Sequence, residues 1–198
     1  MDFIAVKLKN GETVFVRPLI INDVIRLQKM YNSLSKESKL LFHPPMFQKN
    51  FGLPKISQQL MLIFSCFPLA RRIFLKVFPR AVIIALVVID KKQDILGFTY
   101  LQITGKLPRY GYAARAGTAV RDDYQGKGLG YRILLKRKQI AVLYGVQKIS
   151  VGVLAQNTRM IHLARKIGYK IVGKKREIFG KKSYNVLEAV LNLKNEND

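Results

Sequence analysis

The string Gln125-Gly126-Lys127-Gly128-Leu129-Gly130 constrains this chain more than any other feature. It follows strand-forming and small residues from Tyr110 to Val120 and opens a helical stretch from about Gly128 to Tyr144, closed by Gly145. Glycines at a strand-to-helix junction let backbone N–H groups converge on one point, which the helix dipole makes positive. That point suits an anion, with a pyrophosphate as the natural guest. Turns of this kind also serve dinucleotides and nucleotides. A Rossmann turn, however, follows the first strand of a parallel sheet and has an acid about 20 residues later, whereas here the preceding strands read as antiparallel and position 150 is Ser. The P-loop string Gly-x-x-x-x-Gly-Lys-Ser/Thr does not occur. A turn whose glycines serve only packing is the remaining alternative.

The rest of the chain reads as one α+β domain covering residues 1–198. With 198 residues, 49% apolar and 24% charged, it can bury a sizeable core. Phe3 to Lys9 and Thr13 to Arg17 flank Asn10-Gly11, a strong hairpin signal. Asn22 is expected to cap a helix from Asp23 to about Ser33 with Val24, Leu27 and Tyr31 on one face, and Ser35 starts a second helix stopped by Pro44-Pro45. Residues 46–80, rich in Phe and punctuated by Pro54, Pro68 and Pro79, read as an insertion of two short amphipathic helices. Val82 to Ile89 and Ile95 to Ile103 then form an antiparallel, half-buried hairpin, and Gly117 in the next strand suggests a bulge or a ligand lying against the backbone. After the glycine turn come a strand from Lys148 to Leu154, a helix from Thr158 to Ile167 between Asn157 and Gly168, and two strands, Lys170 to Ile178 and Tyr184 to Leu193, joined through Gly180. The expected architecture is a mixed, mostly antiparallel central sheet flanked by helices.

Val120-x-x-x-x-Gln125-Gly126-x-Gly128-x-Gly130 resembles the signature of the GCN5-related N-acetyltransferase (GNAT) family. A second stretch, Asn157, Leu163 and Lys166-Ile167-Gly168-Tyr169, is similar to the family's Asn, Leu-Tyr, Lys-Leu-Gly-Phe segment, and Leu34-Ser35-Lys36-Glu37-Ser38 with Phe42 looks like its helical Leu-Ser-x-Glu-Ser region. The resemblance implies an acyltransferase that moves an acetyl group from acetyl-coenzyme A (acetyl-CoA) to a primary amine by direct attack. It implies that Gln125, Gly126, Lys127, Gly128, Leu129 and Gly130 hold the pyrophosphate, that Thr118, Ala119 and Val120 bond the pantetheine as if it were another strand, and that Asn157 touches the cofactor. Lys127, Arg132 and Arg159 are candidates to neutralise phosphates, and a backbone N–H near Ala119 and Val120 is expected to stabilise the oxyanion.

One departure stands out: where the family places a tyrosine as proton donor to the leaving thiolate, this chain has Ala164. Tyr112 and Tyr184 are the substitutes considered. The general base is open among Glu37, Asp90 and Glu188, with Glu37 preferred, while Asp122 and Asp123 read as structural. No catalytic residue is assigned. His43, His162 and Cys66 read as packing or surface residues, and this Cys and His complement offers no metal site.

The chain carries 35 Lys plus Arg against 12 Asp plus Glu, a net charge of +23, and residues 121–182 alone hold 16 against 3. Such a field attracts phosphates, nucleic acid, ribosomes or acidic surfaces. The alternative function is therefore a non-catalytic basic module of the same fold attached to nucleic acid or a ribosome. The N-terminus lacks the basic head and apolar run of a secretory signal, so a cytoplasmic location is expected. The apolar run from Leu60 to Ala70 is too short to span a bilayer. A homodimer is compatible with the sequence, and the acceptor is not specified by it.

Overall fold

The structure is a computed structural model that describes residues 4–42, 76, 82–106, 111–179 and 182–193. The expectations for 46–80 other than residue 76, and for His43, Cys66, Tyr110 and Gly180, lie outside the described residues.

The described residues form an eight-stranded sheet in the order β1-β2-β3-β4-β5-β6-β8-β7. Its strands are β1 (Ile4–Lys7), β2 (Thr13–Pro18), β3 (Ile83–Ile89), β4 (Ile95–Lys106), β5 (Tyr112–Val120), β6 (Val146–Leu154), β7 (Lys170–Phe179) and β8 (Lys182–Asn192). The helices are α1 (Asp23–Ser33), α2 (Lys36–Leu41), α3 (Leu129–Leu143) and α4 (Thr158–Ile167). Every pairing is antiparallel except that of β5 with β6. The architecture is the expected α+β sheet.

Two apolar layers hold it together. On one face Leu129, Ile133, Leu134 and Ile140 of α3 pack with Leu96, Leu101, Ile103 and Ile149; on the other Leu27 and Met30 of α1 pack with Val87, Ile89 and Phe98. With both faces covered, β3 is buried along its whole length, which corrects the expectation of a half-buried hairpin. Its unbroken run of apolar residues reflects that double cover.

Local chemistry explains the boundaries. Gly11 turns the β1–β2 hairpin at φ +84°. Asn22 does not cap α1 through its side chain; instead Asp23, one residue later, accepts the Ile20 backbone N–H at 2.9 Å and pairs with Arg17 of β2. Asn22 itself sits at φ −68°, ψ −12°, already helical rather than in the extended conformation of a capping residue. Ser35 caps α2 through the Ser38 N–H, and Asn157 caps α4 through the Met160 N–H. Gly168, at φ +103°, closes α4.

Gly117 is neither a bulge nor an open ligand contact. It keeps regular register opposite Tyr100 of β4, and a Cβ there would lie 2.5 Å from the Tyr100 ring. The tyrosine fills the space that the missing side chain leaves.

Candidate active site

The site begins where β5 and β6 part. They pair in register only from Tyr112↔Val146 to Arg115↔Ser150, although β5 continues to Val120 and β6 to Leu154. Beyond Arg115 each strand keeps its outer neighbour, β4 or β8, and a wedge opens between them.

The pleat shows which backbone groups line the wedge. The Arg121 N–H donates to the Leu96 carbonyl, so with a period of two Ala119 and Gly117 also turn their backbone to β4, whereas Ala116, Thr118 and Val120 turn theirs into the opening. The Gln125 side-chain amide confirms the direction by donating to the Val120 carbonyl at 3.2 Å. Across the wedge, Ala155 N–H donates to Asn185, which leaves the backbone of Gly152 and Leu154 facing β5. Among the residues expected to bond a ligand as a strand, Thr118 and Val120 are placed for it. Ala119 is not, because its backbone faces β4.

The glycine turn stands at the end of this wedge. Gly126 and Gly128 sit at φ +77° and +84°, a left-handed conformation that most side chains resist. Gly128 is the N-cap of α3. The first intrahelical bond is Arg132 N–H to Gly128 carbonyl, so the N–H groups of Leu129, Gly130 and Tyr131 have no partner within the helix. No acid occupies the first turn of α3, leaving the positive end of its dipole uncompensated there. Gly130 sits against α4, where an added Cβ would lie 3.3 Å from Leu163.

Two distant segments, the β1–β2 turn and the start of α2, hold the turn. The Lys9 N–H donates to the Lys127 carbonyl at 3.1 Å. The Tyr124 hydroxyl donates to Glu12 at 2.7 Å, and this bond is the main reason its pKa is pushed up to about 12. From α2, the Ser38 hydroxyl and the Ser35 N–H both donate to Asp122, while Gln125 donates to Asp122 and Ser38. Burial alone would raise the Asp122 pKa, but the Ser38 and Ser35 hydrogen bonds outweigh it and hold the carboxyl below its usual range. Arg121 does the same for Asp123. Both acids thus have the structural role expected of them.

Cations surround the turn. Lys127 Nζ lies 4.3 Å from the Tyr124 ring centroid, Arg159 donates to the Gln125 side-chain Oε1 at 3.5 Å, and Arg132 is exposed. Asn157 spends its side-chain oxygen on the α4 cap, leaving its NH₂ donors for any further contact.

The candidate bases do not converge on the wedge. Asp90 accepts the Lys92 and Asp94 N–H groups in the β3–β4 turn, Glu188 is paired with Lys175 at 3.0 Å, and Glu37 is exposed in the first turn of α2. Of the tyrosines named as substitutes, Tyr112 begins β5 in its paired part, whereas Tyr184, which faces Glu177 in the β7–β8 ladder, adjoins Asn185, whose carbonyl accepts the Ala155 N–H at the diverged end of β6.

One residue that sequence reasoning passed over, Arg137, reaches the wedge wall through Thr118, and it also holds Tyr169 in the core. Arg137, 3% exposed, donates to Thr118 Oγ1 at 2.8 Å, to Thr99 Oγ1 at 3.3 Å and to the Tyr169 hydroxyl at 2.9 Å. Burial raises the Tyr169 phenol above its ordinary pKa, and the Arg137 charge opposes part of that rise. The available signal was an arginine spaced with Ile133 and Ile140 on the buried stripe of α3.

Comparison with known proteins agrees with this geometry. A family model described as "Acetyltransferase (GNAT) family" matches residues 63–169. The GNAT domain of PAT from S. lividans superposes with a TM-score of 0.69 at 21% identity, covering 96% of this chain and 97% of that one. For yncA from Salmonella typhimurium, solved with its cofactor acetyl-CoA, the values are 0.66, 16%, 93% and 96%. For ribosomal-protein-S5-alanine acetyltransferase from Vibrio fischeri they are 0.65, 13%, 98% and 98%. At these identities the superpositions establish the shared fold, and with the family match over more than half its length the chain belongs to the GNAT acetyltransferase family.

Proposed function

We propose that this protein transfers an acetyl group from acetyl-CoA to a primary amine by direct attack, with no covalent enzyme intermediate. The observation that carries the reading is the joined pair of features at the end of β5: a wedge with backbone donors on its wall and, directly after it, a helix N-terminus with an uncompensated dipole.

The residues present fit the cofactor. The Thr118 and Val120 N–H groups face the opening and suit the amides of an extended arm, as an added strand would. Gly126, Lys127, Gly128, Leu129 and Gly130 offer backbone donors to a pyrophosphate, and a Cβ at Gly126 would meet nothing within 4 Å, so the approach there is open. Gln125 acts differently from the glycines: it ties the turn to Val120 and to α2. Lys127, Arg132, Arg159 and the Asn157 amide supply the remaining phosphate and polar contacts. Bound acetyl-CoA supplies the activated acyl group.

The chain contributes orientation and charge stabilisation. Holding amine and thioester together removes the entropic cost of their encounter. In this reading the N–H of Thr118 or Val120 stabilises the oxyanion, rather than that of Ala119, whose backbone faces β4. The attacking amine must lose a proton, since amines are mostly protonated at neutral pH.

Calorimetric titration with acetyl-CoA tests the reading. Micromolar binding is expected for the wild type, and a loss of at least about tenfold in Gly128→Asp, which adds a negative charge at the N-cap of α3, on the side where a Cβ would lie 3.3 Å from the Lys9 side chain; Asp tolerates the left-handed conformation better than most residues. Failure of the wild type to bind at millimolar acetyl-CoA would exclude acetyl transfer.

A further inference from the structure

The charge of this chain is sorted by the fold. α3 and α4 lie side by side on one face of the sheet, with Lys166 Nζ 4.9 Å from the Tyr131 ring centroid, and neither helix contains an Asp or Glu. Leu187 and Ala189 of β8 turn towards α4, since they line one small pocket with Ile161 and Ala164. Lys174 and Arg176 of β7, in register with Leu187 and Asn185, share that side. The acids of this hairpin lie on the other side, where Glu177 and Glu188 pair with Lys175 at 2.8 and 3.0 Å. The helices of the opposite face mix their signs: Arg26 of α1 reaches Asp23 at 3.8 Å, and α2 sets Glu37 between Lys36 and Lys39.

Lys136, Lys138, Arg165, Lys166, Lys174 and Arg176 therefore make a surface of one sign, and no described carboxylate lies within ion-pair distance of any of them. Arg132 and Arg159, already given to acetyl-CoA, are left out of this group. Like charges four residues apart, such as Arg132 and Lys136, destabilise a helix, so a face free of acids works against folding and an external anion would offset that. The surroundings decide which anion. Lipid insertion needs apolar side chains among the cations, yet the exposed residues of α4 are Thr158, Arg159, His162, Arg165 and Lys166, all polar. An acidic protein would meet no apolar centre on α4 of the kind that anchors protein interfaces. Single strands are held by stacking on exposed rings, whereas Tyr131, the tyrosine of this helix pair, is half-buried beside Lys166. Phosphate contact alone is left, and a duplex presents phosphates densely and regularly, about one charge per 1.7 Å of axis.

We propose that the outer surface of α3, α4 and the adjoining side of β7 is a docking face for double-helical nucleic acid, held through its phosphates without reading bases. Binding there is driven by release of the counterions that the duplex carries, so it weakens steeply with salt. The proposal stands apart from the acetyl-transfer reading, because none of the six cations belongs to the acetyl-CoA site.

Fluorescence anisotropy of a labelled DNA duplex of about 20 base pairs, in salt from about 50 to about 200 mM, tests it. The wild type is expected to bind with a micromolar Kd at the low end, with log K falling linearly as log salt rises. The quadruple variant Arg165→Gln, Lys166→Gln, Lys174→Gln, Arg176→Gln should flatten that slope by about 3 to 4 and weaken low-salt binding at least about 10²-fold. A control variant, Lys29→Gln, Lys36→Gln, Lys91→Gln, Lys92→Gln, removes the same charge from exposed positions on α1, on α2 and in the β3–β4 turn, and should change the slope by less than about 1. Circular dichroism melts identify a quadruple variant that fails to fold; the pairs Arg165→Gln/Lys166→Gln and Lys174→Gln/Arg176→Gln then decide, each expected to lower the slope by about 2. The acetyl-CoA affinity of the quadruple variant should stay within about twofold of wild type, as for separate sites. No duplex binding by the wild type at about 50 mM salt, or an equal fall in the control variant, overturns the proposal. So does tighter binding of phosphatidylserine vesicles, of poly-glutamate or of a single strand of the same length than of the duplex, or a loss of acetyl-CoA affinity that parallels the loss of duplex.

Discussion

The Ser38 hydroxyl donates to the Asp122 carboxylate across 84 residues of sequence and so fastens α2 to the turn that precedes the glycine string. The Ser35 N–H adds a second donor at 2.7 Å. The glycine turn is thus shaped partly from outside, by a helix at the far end of the chain.

That bond has a pH signature. The folded Asp122 pKa lies below its unfolded value, so its contribution is present above about pH 4 and is lost as the pH falls through the folded value. Asp122→Ala is expected to lower stability at pH 7 by about 1 kcal/mol, a modest figure because the side chain is exposed. The difference between variant and wild-type Tm should shrink as the pH falls below about 4 and vanish once it is below the folded value. A difference that persists there would mean that the carboxylate charge is not what holds α2.

Arg17 and Asp23 form a buried bidentate pair between β2 and the start of α1. Removing one partner strands a buried charge, so Asp23→Ala should cost about 3–5 kcal/mol in urea unfolding. Replacing both by apolar residues should cost much less than twice that. A single-variant loss below about 1 kcal/mol would show that solvent reaches the guanidinium.

Tyr100 and Gly117 face each other across β4 and β5, and no side chain fits at 117 while the ring is there. Gly117→Ala should destabilise by about 1–3 kcal/mol through overpacking. In a Tyr100→Leu background the same change should cost less, giving a measurable coupling energy in a double-mutant cycle. Simple additivity would contradict this packing account.

Asn157 has two roles that a single substitution can divide. Aspartate caps a helix as well as asparagine does, so Asn157→Asp should leave Tm nearly unchanged. It should weaken acetyl-CoA binding by about tenfold if the side-chain amide meets the cofactor, because a carboxylate has no donor and repels phosphate. Unaltered affinity would assign the residue to capping alone.

Much of this was legible in the sequence because local signals agree with one another. Asn10-Gly11, Asn157, Gly168 and the glycine string each mark a boundary through backbone chemistry that needs no tertiary partner, and the α+β order followed from them. What could not be read depended on distant contacts. The role of Gly117 is set by a ring on another strand, the α1 start by an arginine on β2, and the burial of β3 by helices on both faces. The site divided in the same way. Its glycines were readable, but the choice of Thr118 and Val120 over Ala119 depends on hydrogen-bond phase against β4, and the Arg137–Tyr169 contact joins residues 32 apart.

Amide hydrogen exchange with and without acetyl-CoA tests the central claim most directly. The account predicts that acetyl-CoA slows exchange at Thr118 and Val120 and at the first residues of α3, Leu129 to Tyr131, while Ala119, already bonded to β4, changes little. Protection confined to other parts of the chain, or none at saturating acetyl-CoA, would contradict it.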